Sequence, residues 1–472
     1  MHYDAIFIGT GFASTFFLRS YLERASRTAR VLVLERGRFD THAWQLRTGR
    51  TSSVDATATF VNESPAKEWV FSVGFGGGSN CWTAGVGRLM PNDFRMRSQY
   101  GVGTDWPLSY ADLEPFYQAA EEIMAVSGPD DNRQLFPRSR PYPQPPHDFS
   151  RPDLLLKQRN PDAFFQQPTA RARLATSRRP ACCANGVCRL CPIGAKFTIE
   201  NELGYLYQDP RVTLRTEATA QAVQTAAGIV SGVTFEHAGM TQEAAADLVV
   251  LGANAIFNAH ILLRSGFRHA LLGRRLHEQA AVDVQVKLNG LDNVGGSTLI
   301  TGQGYAFYDG VHRTERAAAM VETLNPVVVR LERGRWRQLM NLTVSFESLG
   351  DDDNLVAFDP SRPDLPIVRH DAPSPYTQRA IDRVPAMMDE FLAGLPVESI
   401  AVDAPTSNEA HIIGTTVMGN DPASSVLDKH SVYHGVPNLV VLGSGAFPTS
   451  APMQPSLTIS AMALWSAAGV LR

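Results

Sequence analysis

The sequence predicts an α/β fold with two parts: a Rossmann-like dinucleotide-binding lobe and an α+β lobe built on an antiparallel sheet. Three observations predict it. A strand, a glycine turn, a helix and a second strand follow one another within residues 3–35, and a buried strand leads into a small-residue turn and a helix at residues 246–265. Apolar and polar residues alternate along residues 280–370, which is typical of an antiparallel sheet with one covered face.

The N-terminal run has the order of a βαβ unit that binds a dinucleotide. Its predicted segments are strand 3–8, helix 15–25 and strand 31–34, and the second strand ends in Glu35. Glu35 lies 24 residues after Gly11, near the spacing at which an acid binds the ribose. The pyrophosphate is expected at the helix N-terminus, on Gly9, Gly11 and Ser14, although Ser14 replaces the third glycine of the motif.

The remaining elements follow from periodicity and turn residues. The glycine-dense stretch at residues 73–83 is expected to lie close to a flat ligand. Residues 129–180, rich in Pro, Arg and Gln, are expected to run over the surface. Further predicted elements are strands 212–217, 220–224, 229–235, 305–308, 342–346 and 438–442, and helices 105–123, 377–395 and from about 456.

Bulk composition excludes several classes of protein. The chain has 472 residues, enough for two or three domains, with 44% hydrophobic residues and a net charge of −4. This balance gives no reason to expect nucleic acid or an anionic membrane as a partner. No apolar run is long enough to span a membrane. The first strand begins at residue 3 and leaves no room for a signal peptide, so a cytoplasmic location is expected.

Six blocks in order resemble the glucose-methanol-choline (GMC) oxidoreductases. They are the turn from Gly9 to Ser14 with Glu35-Arg36-Gly37, Gly76-Gly77-Gly78-Ser79 leading to Arg88, Asp105-Trp106-Pro107, Val249-Val250-Leu251-Gly252-Ala253, His411-x-x-Gly414-Thr415-x-x-Met418-Gly419, and Gly435-Val436-Pro437-Asn438-Leu439 continuing to Phe447-Pro448. The resemblance implies an FAD-binding lobe of the GMC and p-hydroxybenzoate hydroxylase type, assembled from residues 1–95, 181–270 and 416–472. It also implies a substrate lobe from residues 96–180 and 271–415.

The resemblance also implies which residues contact FAD. They are Gly9, Gly11, Phe12, Ala13, Ser14, Glu35, Arg36, Gly77, Gly78, Ser79, Cys81, Trp82, Val223, Gly252, Ala253, Gly445, Ala446 and Thr458. Cys81 aligns with a position where some sugar-oxidising members carry a histidine bonded to the flavin. It is either the site of a thioether to the flavin or a small buried thiol.

Alcohol oxidation needs a hydride acceptor, which no side chain supplies, and a base for the hydroxyl proton. His411 is the candidate base, because imidazole titrates near neutrality and matches the family's catalytic histidine. Gln454 stands where the family's second catalytic residue is usually His or Asn. The implied reaction is hydride transfer from an alcohol to flavin N5. The expected substrate is a hydroxyl of a sugar, glycoside or aminoglycoside, on which the aromatic residues at 305–308 would stack.

Four of the five cysteines form one group, Cys182, Cys183, Cys188 and Cys191. Three interpretations stay open: an iron–sulfur cluster, a zinc site, or free or redox-paired thiols. Sugar-oxidising GMC dehydrogenases use a similar segment for an iron–sulfur cluster, but their last gap is one residue longer. The electron acceptor is therefore O2 or an external acceptor reached directly or through a cluster. The same motifs would also suit a flavin-containing isomerase or lyase, or a non-catalytic flavin-binding protein.

Overall fold

The computed structural model describes residues 1–371, 373–406 and 409–471. In these ranges the strands are β1 His2–Ile8, β2 Val31–Leu34, β3 Val61–Asn62, β4 Phe164–Gln166, β5 Val212–Arg215, β6 Ala218–Ala226, β7 Ile229–His237, β8 Met240–Leu251, β9 Ala280–Leu288, β10 Ile300–Gly304, β11 Ala319–Leu324, β12 Leu339–Phe346, β13 Leu355–Ala357, β14 Ile367–Arg369, β15 Val397–Val402 and β16 Leu439–Val441. The α-helices are α1 Phe12–Arg24, α2 His42–Thr48, α3 Met96–Tyr100, α4 Tyr110–Met124, α5 Arg151–Arg159, α6 Asn254–Arg264, α7 Pro375–Ile381, α8 Val384–Phe391 and α9 Ser456–Val470.

A seven-stranded sheet contains the strands of the predicted dinucleotide-binding lobe. Its order is β5-β2-β1-β8-β7-β6, and β16 pairs with β8 off this path. β5, β2, β1, β8 and β16 are parallel, whereas β7 and β6 extend the sheet as antiparallel strands. All four residues of β2 are buried, as expected for a parallel strand covered on both faces. The sheet therefore joins three distant stretches of the chain, as the sequence predicts.

A six-stranded antiparallel sheet forms the second part, in the order β15-β9-β12-β11-β10-β4. Burial along β9 largely alternates, because one face of this sheet covers a hydrophobic core that includes residues of α7 and α8. A small third sheet, β13-β14-β3, lies apart from the other two. The predicted fold class is thus confirmed, whereas the predicted domain boundaries stay predictions.

Three local predictions are wrong. Residues 129–180 do not simply run over the surface, because they contain α5 and β4, and Phe164 and Phe165 are buried. Residues 305–308 form a turn rather than a strand. The single helix predicted at 377–395 is two helices, because Pro385 stands in the first turn of α8, where a missing N–H costs least.

Candidate active site

The turn after β1 is packed tightly against the turn after β8. Gly9 has φ +94°, and a Cβ there would lie 2.5 Å from the carbonyl oxygen of Gly252. A Cβ on Gly252 would in turn lie 2.0 Å from Oγ of Ser14, which is buried and donates to the carbonyl of Ile8 at 3.4 Å. Ser14 is therefore tolerated in the glycine motif because Gly252 leaves it room.

The N-terminus of α1 is open to a ligand. Gly11 is the N-cap, no side chain caps the first turn, and a Cβ on Gly11 would meet nothing within 4 Å. Uncapped N–H groups and the helix dipole attract an anion. Gly77, with φ +50°, packs against Gly11, so the glycine loop of residues 77–79 borders the same turn. These residues fit a dinucleotide pyrophosphate.

Thr10, which no sequence motif singles out, links the predicted ribose site to the glycine loop. Its buried hydroxyl donates to Oε2 of Glu35 at 2.6 Å and accepts from the N–H of Gly76 at 3.0 Å. The other oxygen of Glu35 accepts from the N–H of Gly37 at 2.9 Å. Burial raises the pKa of Glu35, and the hydrogen bonds from Thr10 and Gly37 oppose that rise.

Ring contacts surround several of the residues predicted to bind FAD. The ring of Phe12 lies edge-to-face against Trp82 with centroids 4.7 Å apart, and Trp82 Nε1 donates to the carbonyl of Phe197 at 3.0 Å. Arg36 lies over the ring of Phe257, 4.9 Å from its centroid. Burial raises the pKa of the Cys81 thiol, which favours the uncharged form. A thioether from Cys81 stays a prediction.

Other predicted FAD contacts have protein partners. The N–H of Val223 donates to Oγ of Ser265 at 2.8 Å, and Oγ1 of Thr458 bonds the hydroxyl of Tyr117 at 2.9 Å. The N–H of Ala253 donates to Oδ1 of Asn258 at 2.8 Å. Their roles, and those of Ala13, Gly78 and Ser79, stay predictions.

The segment that follows His411 is anchored to the C-terminal part of the chain. The N–H of Gly414 donates to the carbonyl of Ser444 at 3.1 Å, and the N–H of Thr416 donates to that of Gly445 at 3.0 Å. Met418 continues the pairing with the carbonyl of Ala446 at 2.9 Å. This pairing places the predicted Gly445–Ala446 cofactor segment directly beside the histidine block.

His411 is held by Glu278 and Gln279, the two residues that precede β9. Its backbone N–H donates to Oε1 of Glu278 at 2.7 Å, and Glu278 forms a buried ion pair with Lys67. Its Nδ1 bonds Oε1 of Gln279. Burial lowers the pKa of His411 to about 4, so the ring is neutral near pH 7 and can accept a proton.

Gln454 lies in a cage of amides around a buried carboxylate. Oε1 of Glu322 accepts from Nε2 of Gln454 at 2.6 Å, from Gln303 at 2.8 Å and from Gln167 at 3.3 Å. Burial raises the pKa of Glu322, and the three amides oppose the rise. Neither Glu322 nor the cage was identified from the sequence, because its members come from four separate segments. The structure thus gives Gln454 a fixed amide orientation.

The tyrosines expected to stack on a sugar instead have hydrogen-bond partners within the protein. The Tyr305 hydroxyl donates to Oε1 of Gln303 at 2.6 Å, and the Tyr308 hydroxyl donates to Oδ2 of Asp93 at 2.9 Å. Both rings are buried among other aromatic rings. The stacking role is therefore not supported.

The clustered cysteines differ in their surroundings. Cys183 is exposed, Cys188 accepts from the N–H of Leu299 at 3.3 Å, and Cys182 donates to the carbonyl of Ser297 at 3.6 Å. Within the described ranges, no group of three or more His, Cys, Asp or Glu side chains is placed to hold a metal ion. The predicted iron–sulfur and zinc sites on Cys182, Cys183, Cys188 and Cys191 therefore gain no support, none of the four is in a disulfide, and their role stays a prediction.

Comparisons with known proteins agree with this architecture. The sequence model described as GMC oxidoreductase matches residues 379–463. The fructose dehydrogenase large subunit of Gluconobacter japonicus is 26% identical over 442 residues, covering 84% of this chain and 80% of that protein. Paromamine 6'-oxidase of Streptomyces fradiae is 27% identical over 434 residues, covering 84% and 78%. Among the described helices, none has the length and apolarity that a membrane span requires.

A solved structure has the same fold. The crystal structure of pyridoxine 4-oxidase from Mesorbium loti superposes with a TM-score of 0.68 at 16% identity, and the match covers 99% of this chain and 98% of that one. The matched model and the relatives identify an oxidoreductase that acts on alcohol groups. Residues 379–463 thus match the GMC oxidoreductases, whose members generally bind FAD, and the relatives named above cover most of the chain.

Proposed function

We propose that this enzyme uses FAD to oxidise a hydroxyl group of a sugar, glycoside or aminoglycoside, with His411 as the base and Gln454 as its partner. The observation that carries the proposal is the setting of His411. The ring is neutral, it is held by Gln279, and its segment is paired with residues 444–446. A base held in this way can remove the proton of an alcohol.

The chain's own residues would hold FAD at the sheet edge. The open N-terminus of α1 at Gly11 suits the pyrophosphate, and Glu35 suits the ribose. The glycine loop of residues 77–79 and the segment around Gly445 and Ala446 would border the flavin. When bound, FAD supplies the hydride acceptor that side chains lack.

Gln454 is oriented to hold the reacting oxygen. Its Nε2 carries two hydrogens, and Glu322 takes one of them at 2.6 Å. The second hydrogen is left to donate to the substrate oxygen while His411 takes the proton from that oxygen. Gln454 thereby fills the role of the family's usual His or Asn with a longer side chain.

The substrate class is inferred from the relatives, and a protonated acid near His411 is compatible with it. The two relatives described above are named for fructose and paromamine. Burial and the carboxylates of Glu322, Glu278 and Asp283 raise the pKa of Glu409 to about 8. Of these four acids, Glu278 has an ion pair with Lys67. A pKa of about 8 leaves Glu409 mostly protonated near pH 7, so its carboxyl group can donate a hydrogen bond to a hydroxyl group.

The test is anaerobic mixing of the FAD-loaded enzyme with neutral sugars, glycosides and aminoglycosides, while flavin absorbance is followed. At least one of these should bleach the flavin, and His411→Ala should slow the bleaching by about 100-fold or more. His237, a partly exposed residue at the end of β7, offers a control, and His237→Ala should leave the rate unchanged. Admitting O2 or an artificial acceptor afterwards identifies the oxidant. Equal rates for the wild type and His411→Ala would remove His411 as the base.

A further inference from the structure

Gln279 contacts His411 and the turn that carries Gln454. Its side chain is buried, and Nε2 donates to the carbonyl of Ala451 and, at 2.8 Å, to that of Met453, the residue before Gln454. Its Oε1 bonds Nδ1 of His411, 132 residues further along the chain. Gln279 therefore connects the base to the turn that carries its partner.

The two carbonyl contacts determine which way the amide of Gln279 points. A carbonyl oxygen only accepts hydrogen bonds, so the group that faces Ala451 and Met453 must be the NH2. The opposite group, which faces His411, is consequently the oxygen. An amide oxygen also only accepts, so Nδ1 of His411 must carry a hydrogen.

We infer that Gln279 is a positioning residue that keeps the proton of neutral His411 on Nδ1 and leaves Nε2 with the lone pair that accepts the substrate proton. A neutral imidazole has one N–H, so fixing it on one nitrogen frees the other. This inference rests on the proposed role of His411 as the base. The wrong tautomer would present an N–H to the hydroxyl and could not remove its proton.

The main chain supports the same arrangement. His277 and Ile413 exchange two hydrogen bonds, at 3.0 and 2.9 Å, and Glu278 accepts from the N–H of His411 at 2.7 Å. Residues 277–279 thus contact the histidine segment at three consecutive positions. The backbone pair of His277 and Ile413 and the Glu278 carboxylate hold the main chain at His411 without Gln279, so a substitution at Gln279 acts mainly on the ring.

The first experiment reads the tautomer directly in the full-length protein without FAD. Histidine labelled with nitrogen-15 is incorporated, and the His411 signal is assigned by its loss in His411→Ala. The wild type should show Nδ1 protonated and Nε2 unprotonated at neutral pH, and Gln279→Met should lose this preference. A wild-type ring protonated on Nε2, or the same tautomer in Gln279→Met, would overturn the inference.

The second experiment measures the limiting rate of flavin reduction in the loaded enzyme. Gln279→Met should be slower by tenfold or more, whereas Gln279→Glu should recover most of the rate, because a carboxyl oxygen still accepts from Nδ1–H. If Gln279 only anchored the turn at residues 451–453, both variants would reduce the flavin slowly. Equal slowing of flavin reduction in Gln279→Met and Gln279→Glu would therefore contradict the inference. A normal rate in Gln279→Met would also contradict it.

A matched control and an independent outcome complete the test. Gln134 is an exposed glutamine whose amide also donates to a backbone carbonyl, that of Asp162 at 3.2 Å, so Gln134→Met should change neither readout. If His411→Ala reduces the flavin at the normal rate, the base assignment fails while the tautomer measurement stands by itself. If His411→Ala is slow and Gln279→Met is normal, only the positioning role fails.

Discussion

At the scale of single residues, the hydroxyl of Thr10 connects Glu35, the predicted ribose ligand, to the backbone of Gly76. It is buried, it donates to Glu35, and it accepts from the N–H of Gly76, which directly precedes the glycine loop. The sequence indicates Glu35 by its distance from Gly11, but it gives no reason to choose Thr10. Thr10 and Gly76 are 66 residues apart, so only folding reveals that one side chain serves both.

Thr10→Val should destabilise the protein and weaken FAD retention. The substitution leaves an oxygen of Glu35 and the N–H of Gly76 without their partner, which costs about 1–3 kcal/mol for a buried group. Urea unfolding of the protein without FAD measures the loss, and dialysis measures retention. Thr10→Ser keeps the hydroxyl and serves as the control. Equal unfolding free energies for the Val and Ser variants would contradict the role of the hydroxyl.

At the scale of elements, α1 sits close to the turn between β8 and α6, and this contact explains the departure from the glycine motif. In the sequence, Ser14 and Gly252 belong to two different motifs, and each is a predicted contact of FAD. The structure shows that they contact each other, so the small size of each depends on the other. The contacts of both residues with FAD stay predictions.

Gly252→Ala should destabilise the protein by about 1–3 kcal/mol, because the new Cβ would overlap Oγ of Ser14. Adding Ser14→Gly removes that oxygen and should recover about 1 kcal/mol or more beyond additivity. Unfolding free energies of the two single variants and the double variant measure this coupling. Ser20→Gly lies on the same helix and is the matched control. Additive effects for the Ser14 and Gly252 pair would refute the contact.

At the scale of the whole molecule, the enzyme buries several histidines in the neutral form. Burial lowers the pKa of His147, His260, His277 and His370 to about 4 each. Since the unfolded residues titrate near ~6.5, these groups stabilise the fold above that pH, and the contribution is lost as pH falls toward 4. Buried acids with raised pKa, such as Asp93 at about 6, act in the opposite direction.

A comparison of variants isolates the histidine contribution. Between pH 7 and pH 5, one histidine with these pKa values removes about 2 kcal/mol from the free energy of unfolding. His147→Asn should therefore be less stable than the wild type at pH 7 but should lose about 2 kcal/mol less on acidification. Urea unfolding at both pH values measures the difference, and His237→Asn at a partly exposed site is the control. Parallel losses in His147→Asn and wild type would show that His147 titrates normally.

Much of the architecture could be predicted because its signals are local. The alternation of strand, turn and helix near residue 9, the spacing to Glu35 and the period-two pattern of residues 280–370 all depend on neighbouring residues. The failures at residues 129–180 and 305–308 have one cause. Polar and aromatic segments there are buried by elements distant in sequence, and composition does not report burial.

The sequence by itself determined the class of this protein. The glycine turn, the His411 block and the two sheet patterns indicated an oxidoreductase with a dinucleotide-binding lobe, and Gln454 already stood out as a departure from the family. Only the tertiary structure decided how that departure is accommodated. Gln454 meets Glu322, and His411 meets Gln279, each across 132 residues. Hydrogen bonds of this kind depend on side-chain directions that are fixed only when the two sheets pack together.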